Sequence, residues 1–185
     1  FDKDLANKLL DEAGWTQRGA DGIREKDGKQ LTANWIAWTP VSDDHAALAN
    51  AIQSDLKAVG FAITRETLEP GAYNAKYGPK TFDITDWDFS GVDPDLLRSH
   101  LATDGFQNAS SVSDPKLDQL LKDGIATTDA AKRADVYAQI QEWNAKNDAI
   151  VPLYVTSAIT AVGDKVTGLS FDIYGRPLFF GAGVK

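Results

Sequence analysis

Apolar residues recur along this chain with two periods, near 3.6 and near 2, and the switches between them predict its elements. Leu5, Leu9 and Leu10 with Ala6 and Ala13 fall at helical spacing, and Gly14 supplies a left-handed stop. Residues 15–30 are polar and turn-rich; Asp21-Gly22 and Asp27-Gly28 bracket Ile23 to Lys26, the pattern of a hairpin. Leu31 to Trp38 has the aromatic and β-branched content of a strand. Ser42 and Asp43 are capping candidates for a helix whose face is Leu48, Ile52, Leu56 and Val59, ended by Gly60. Phe61 to Glu66 alternates as a second strand, Ala72 to Tyr77 is a short helix broken by Gly78-Pro79, and Phe82 to Trp87 is a third strand. Asp93, as a cap, or Pro94 opens a short helix through Leu101. Asp114-Pro115 repeats the device before Leu117, Leu120, Leu121 and Ile125. Asp129 caps a longer helix with Val136, Tyr137, Ile140 and Trp143 inward. Ala149 to Val155 is predicted to return as a strand, and Ile159 to Phe180 as strands and turns.

Strand alternating with helix is the α/β pattern, here a central, mostly parallel sheet flanked by helices. A boundary is expected near Gly163-Asp164, dividing a main body, 1–163, from a β-rich tail, 164–185. A chain of 185 residues buries roughly 70% of its unfolded surface and needs no staples. It has no cysteine, which removes disulfides, thiolate zinc sites and cysteine nucleophiles together. The net charge of -8, with no Lys/Arg cluster, argues against nucleic acid as a partner. Its longest apolar runs fall far short of the ~20 residues of a membrane span. The opening at Phe1, one residue before a helix, leads to the expectation of a piece of a longer protein.

The most informative stretch runs from Phe82 to Arg98. A short apolar strand enters a Trp/Asp/Ser/Gly loop, and an Asp-Pro pair then starts a helix. Open α/β sheets place ligands at the carboxyl ends of their strands, so Trp87, Asp88, Phe89, Ser90 and Gly91 are candidate ligand-binding residues. Trp35 and Trp38 face opposite sides of their strand, and Trp38, nearer its carboxyl end, joins the candidates. No catalytic residue is expected. His45, in an acidic helix start, and His100, near the end of a short helix, read as surface residues. Ser99 and His100 are adjacent, about 100° apart on a helix, and are not expected to pair as nucleophile and base. Nucleophile-elbow, zinc-helix and phosphate-loop motifs do not occur. Asp21-Gly22 fails as a calcium loop: the acidic positions before it are Gln17 and Gly19, and the closing position is Gly28. Asp83, Asp86, Asp88, Asp93 and Asp95 leave a glycosidase-like carboxylate pair open on composition. Each has a simpler role, solvation for Asp83 and capping for Asp93. Neither cofactor nor metal is expected.

Six segments, read in order, resemble the extracytoplasmic solute-binding proteins of the peptide/nickel class, family 5, that serve ABC importers. Phe1 to Trp15 is similar to that family's Y-x-P-x-x-A-x-x-L-L-x-E-A-G-W helix, and Asp21 to Leu31 to its DGIREKDGKPL hairpin. Ala51 to Gly60 matches I-Q-x-x-L-x-x-x-G. Phe82-Asp83 through Asp93-Pro94 matches its strand and loop, with Trp87 between. Thr127 to Tyr137 matches t-D-x-x-x-R-x-x-x-Y, and Ile150 to Tyr154 matches x-I-P-L-Y.

The resemblance implies a two-lobed clamp that closes on a ligand, performs no chemistry, and delivers its cargo to a membrane permease. It implies that this chain is the carboxyl-terminal lobe, with a tail returning toward the other lobe. It also implies an extracytoplasmic location, in a periplasm or lipid-anchored at the cell surface. The ligand expected is a peptide or similar small polar solute. One position departs from the pattern. In peptide-binding members an aspartate three residues after the loop tryptophan holds the peptide's α-ammonium, and here that position is Ser90. A charge-assisted hydrogen bond of that kind is worth about 1.5–3 kcal/mol, and a hydroxyl does not replace its charge. Asp88 or another acid then substitutes, or the ligand has no cationic terminus, as with an oligosaccharide or capped peptide. The rivals from other classes are a carboxylate-dependent hydrolase and a purely structural α/β domain.

Overall fold

The computed structural model describes residues 1–89, 91–157 and 159–185. The chain divides into two compact units, Phe1–Asp88 and Phe89–Lys185.

The first unit begins with α1 (Lys3–Glu12), capped by Asp2, whose carboxylate accepts from the Leu5 amide at 2.9 Å. A three-stranded antiparallel meander follows: β1 (Gln17–Arg18), β2 (Arg24–Lys26) and β3 (Lys29–Gln30). The expected hairpin is its second half, turned at Asp27 and Gly28, both with positive φ. The central sheet is β4 (Thr32–Trp38) between β5 (Ala62–Leu68) and β6 (Ile84–Thr85), parallel throughout. Helices α2 (Asp43–Ala58) and α3 (Pro70–Tyr77) connect these strands. Ser42 caps α2 by accepting from the His45 amide at 3.2 Å.

Ala33, Trp35 and Ile63 pack with Ala49, Ile52 and Leu56 of α2, so alternate positions of β4 and β5 supply one core. The other face of β4 carries Trp38, whose ring meets Tyr73 of α3. The opposite facing of Trp35 and Trp38 is therefore as the spacing predicts. Arg24 is buried at the junction of α1, the meander and the end of α2. Its guanidinium donates to Asp11, Asn7 and the carbonyls of Trp15 and Val59, which satisfies a charge that would otherwise be costly to bury. Gly60 closes this junction at φ 88°, where a Cβ would lie 2.5 Å from Arg18 Nη1.

The second unit holds α4 (Leu96–Leu101), α5 (Pro115–Ala126) and α6 (Ala130–Asn147), followed by two antiparallel ladders. One pairs β7 (Val166–Thr167) with β10 (Gly183–Val184), and the other pairs β8 (Ser170–Phe171) with β9 (Pro177–Leu178). Its core is Leu101, Val112, Leu117, Leu121, Tyr137 and Ile140. Asp114 caps α5, as expected, and its second oxygen accepts from the Trp143 indole at 2.8 Å, tying α5 to α6. Asp129 caps α6 through the Lys132 amide.

Four expectations are corrected. Ala149 to Val155 makes no ladder among the described residues; Val151 and Val155 are exposed, and an apolar run without a neighbouring strand has nothing to pair with. The third strand is confined to Ile84–Thr85, two residues of the six predicted. The carboxylate of Asp83 is not merely solvated, since it accepts from the Asn34 amide at 2.7 Å and extends the β4–β6 pairing. The N-cap position of α4 is Asp95, not Asp93, but Asp95 makes no side-chain cap bond; Asp93, two residues earlier, accepts from the Asp95 amide at 2.8 Å and pairs with an arginine.

Candidate functional site

Parallel strands put their carboxyl ends on one edge, and two tryptophans stand there. Trp38 is the last residue of β4, and Trp87 lies two residues beyond β6. Their rings meet edge to face, with centroids 6.0 Å apart. Three further rings back them. Tyr73 lies 5.4 Å from Trp38 and 6.3 Å from Trp87, Tyr77 lies 6.0 Å from Trp87, and Phe82 stacks on Tyr77 at 5.8 Å. All these separations fall in the range where aromatic pairs attract beyond their buried area.

Tyr73 is fully buried and shares a hydrogen bond with Thr85 Oγ1 at 2.7 Å. Burial raises the pKa of both Tyr73 and Tyr77, so the phenols stay neutral. Trp38 and Trp87, by contrast, remain 40% and 44% exposed. The result is a firmly backed, uncharged aromatic platform open to solvent. The sequence carried a signal for its base, since Tyr73 and Tyr77 are four apart on a helix and so share a face.

Behind Trp87 the chain is fixed by His45, which the sequence pattern places at the surface. His45 Nε2 contacts Asp86 Oδ2, and the Asp86 side chain is only 10% exposed. The other Asp86 oxygen is buried without a partner among the described residues. Asp86 is thus turned into the protein, leaving exposed Asp88 as the carboxylate beside Trp87. His45 was missed because its partner lies 41 residues away.

Phe89 and Gly91 belong to the second unit, and Ser90 lies outside the described residues. Phe89 is 45% exposed and its ring rests on His100, centroid to centroid 4.4 Å. His100 is a buried residue, not a surface one. Contrary to the angular expectation, Ser99 Oγ and His100 Nδ1 are 2.8 Å apart; neighbouring Cα atoms are close enough for two short side chains to bend together. They do not form a nucleophile–base pair. Ser99 Oγ donates to the Leu96 carbonyl at 2.8 Å, so the serine proton points to the helix backbone rather than to the ring.

Two shallow depressions of about 300 and 450 Å³ lie in this unit, one bounded by Asp95, Arg98, Ser99 and Phe106, the other by Asp93, Thr127, Thr128 and Arg133. Neither includes Trp38, Trp87, Asp88, Phe89 or Gly91. Among the described residues, no three His, Asp or Glu side chains form a group that could hold a metal, and no helix is long and apolar enough to cross a membrane.

The fold is that of an α/β lobe of the periplasmic-binding-protein kind. The sequence profile of the bacterial extracellular solute-binding proteins, family 5 Middle, matches residues 1–108, and the chain belongs to that family. It is 31% identical over 178 residues to Protein XP55 of Streptomyces lividans, covering 92% of this chain and 32% of that protein. It is 30% identical over 185 residues to the oligopeptide-binding protein OppA of Lactococcus lactis subsp. lactis (strain IL1403), covering 94% and 30%. The crystal structure of a dipeptide-binding protein from Pseudoalteromonas sp. SM9913, in complex with Met-Leu, superposes with a TM-score of 0.76 at 24% identity, over 100% of this chain and 36% of that one. The chain thus spans about a third of the length of these relatives.

Proposed function

We propose that this chain is a ligand-binding lobe of the solute-binding component of an ABC importer, which captures a peptide or similar small polar solute outside the cytoplasm and hands it to a membrane permease. The observation that carries the reading is the exposed Trp38–Trp87 pair, firmly backed at the strand ends of a family 5 lobe. The residues assigned to ligand contact are Trp38, Trp87, Asp88, Phe89, Ser90 and Gly91. The remaining contacts come from a second lobe, toward which residues 164–185 return, and the protein works in the periplasm or tethered to the cell surface. It binds and releases its ligand without chemical change, and needs no cofactor.

A second reading, a solute without a cationic terminus, is favoured by two facts together. Ser90 stands at the position that carries the ammonium-binding aspartate in peptide-binding members, and the neighbouring Asp86 is engaged by His45.

One titration tests both. Half the contacts of a micromolar ligand, worth about -8.2 kcal/mol in full, leave an affinity near 1 mM. The chain titrated with Met-Leu dipeptide should therefore show weak, millimolar quenching of tryptophan emission that Trp87→Ala removes. An N-acetylated dipeptide that quenches at the same concentration selects the second reading. No response to either, or to a cello-oligosaccharide, at tens of millimolar would overturn the binding reading.

A further inference from the structure

The second unit contains a polar cluster with no part in the reading so far. Arg133, in the first turns of α6, donates through Nε to the Gly124 carbonyl of α5 at 2.9 Å and through Nη2 to Asp93 Oδ1 at 2.7 Å. Its guanidinium lies 5.2 Å from the centroid of the Tyr137 ring, one turn further on. Tyr137 is buried and fills the space a side chain at 124 would need: a Cβ on Gly124 would meet the ring at 2.9 Å. The Asp93 oxygen that binds Arg133 also accepts from the Asp95 amide at 2.8 Å, and Asp95 is itself paired with Arg98. One arginine on the α5–α6 pair therefore grips the residues from which α4 starts. Near the far end of α4, His100 carries the Phe89 ring. Leu96, at its head, packs so closely on Gly91 that a Cβ there would lie 2.5 Å from Leu96 Cδ2.

We propose that Arg133 and His100 are positioning residues for Phe89: Arg133 clamps the head of α4 to α5 and α6, His100 sets the plane of the Phe89 ring, and α4 is the bracket between them. The inference rests on the reading of Trp87, Asp88 and Phe89 as ligand-facing. Arginine suits the task because its planar fork serves two acceptors at fixed angles, the Gly124 carbonyl and the Asp93 carboxylate. A lysine ammonium, a single point on a flexible stem, does not. A six-residue helix spans only about 9 Å, so a tilt at its head is passed to its foot with little loss.

The test is NMR of the full chain without ligand, in the wild type, Asp93→Asn, Arg133→Gln, the double variant and His100→Leu. His100→Leu should remove the ring-current shift of the Phe89 ring protons. Asp93→Asn and Arg133→Gln should each move the Phe89 resonances in the same direction, and should speed exchange of the amides from Asp95 to Arg98 about tenfold. The double variant should go no further than either single, and the amides of Leu117 to Gly124 should keep their rates. Phe89 resonances that stay in place, additive single effects, or a uniform rise across the unit would each overturn the proposal. Asp93→Asn, at an exposed carboxylate, keeps the test valid if Arg133→Gln fails to fold. Because ligand is absent, failure here leaves the binding reading standing, and failure of the dipeptide titration leaves the bracket standing.

Discussion

Trp87 and Phe89 are two residues apart and are held by different means. Trp87 belongs to a cluster of rings, backed by a tyrosine with no exposed surface and fixed from behind by a histidine–aspartate contact. The Phe89 ring rests on a buried histidine, on a short helix whose head is tied down by ionic hydrogen bonds. Burial of apolar ring surface does not depend on protonation, whereas charged hydrogen bonds are angular and end when a carboxylate is protonated. The Trp87 side should therefore respond chiefly to lost volume, and the Phe89 side chiefly to lost charge.

The largest effect should come from the ring cluster. Tyr73→Ala empties a fully buried site and should destabilise the protein by about 3–5 kcal/mol in urea unfolding, with a red shift of tryptophan emission as Trp38 and Trp87 lose their backing. A loss below about 1 kcal/mol would contradict packing as the cluster's main support. Next comes Gly124→Ala. In an ordinary helix interior this exchange gains about 1 kcal/mol. Against the Tyr137 ring it should instead cost about 1–3 kcal/mol, a reversal of sign that thermal unfolding reads directly.

The smallest effect is that of acid. The Arg133 side-chain hydrogen bond, helped by the Asp95 amide, holds the Asp93 carboxyl below the usual carboxylate range. A carboxyl whose folded pKa is depressed contributes stability above its unfolded value, roughly 3.9, and loses it as pH falls through the folded value. The wild type should therefore gain exchange at Asp95 to Arg98 below about pH 4, relative to Asp93→Asn, which has already lost the charge. Parallel profiles for the two proteins would remove Asp93 from the account.

Much of this was legible from the chain. Caps at Ser42, Asp114 and Asp129 are local devices, read from a few consecutive residues, and all three appear as hydrogen bonds. The facing of Trp35 and Trp38 follows from a period of two. What was not legible depends on pairs distant in sequence. His45 and Asp86 are 41 residues apart, and Arg133 and Asp93 are 40 apart. Nothing in the sequence beside His45 or Arg133 announced its partner. The run from Ala149 to Val155 has the composition of a strand, but a strand is a relation between two segments, and composition describes only one.

The stretch from Val151 to Phe180 has a practical consequence for work with this chain. Val155, Ile159 and Phe180 are 95%, 93% and 100% exposed, and Phe179 and Ile173 more than two-thirds so. The net charge of -8 opposes the approach of two copies, and its reach shrinks to about 8 Å at physiological salt. Adding sodium chloride to a concentrated stock, a common remedy for turbidity, should here hasten precipitation, and dilute low-salt buffer should keep the chain clear.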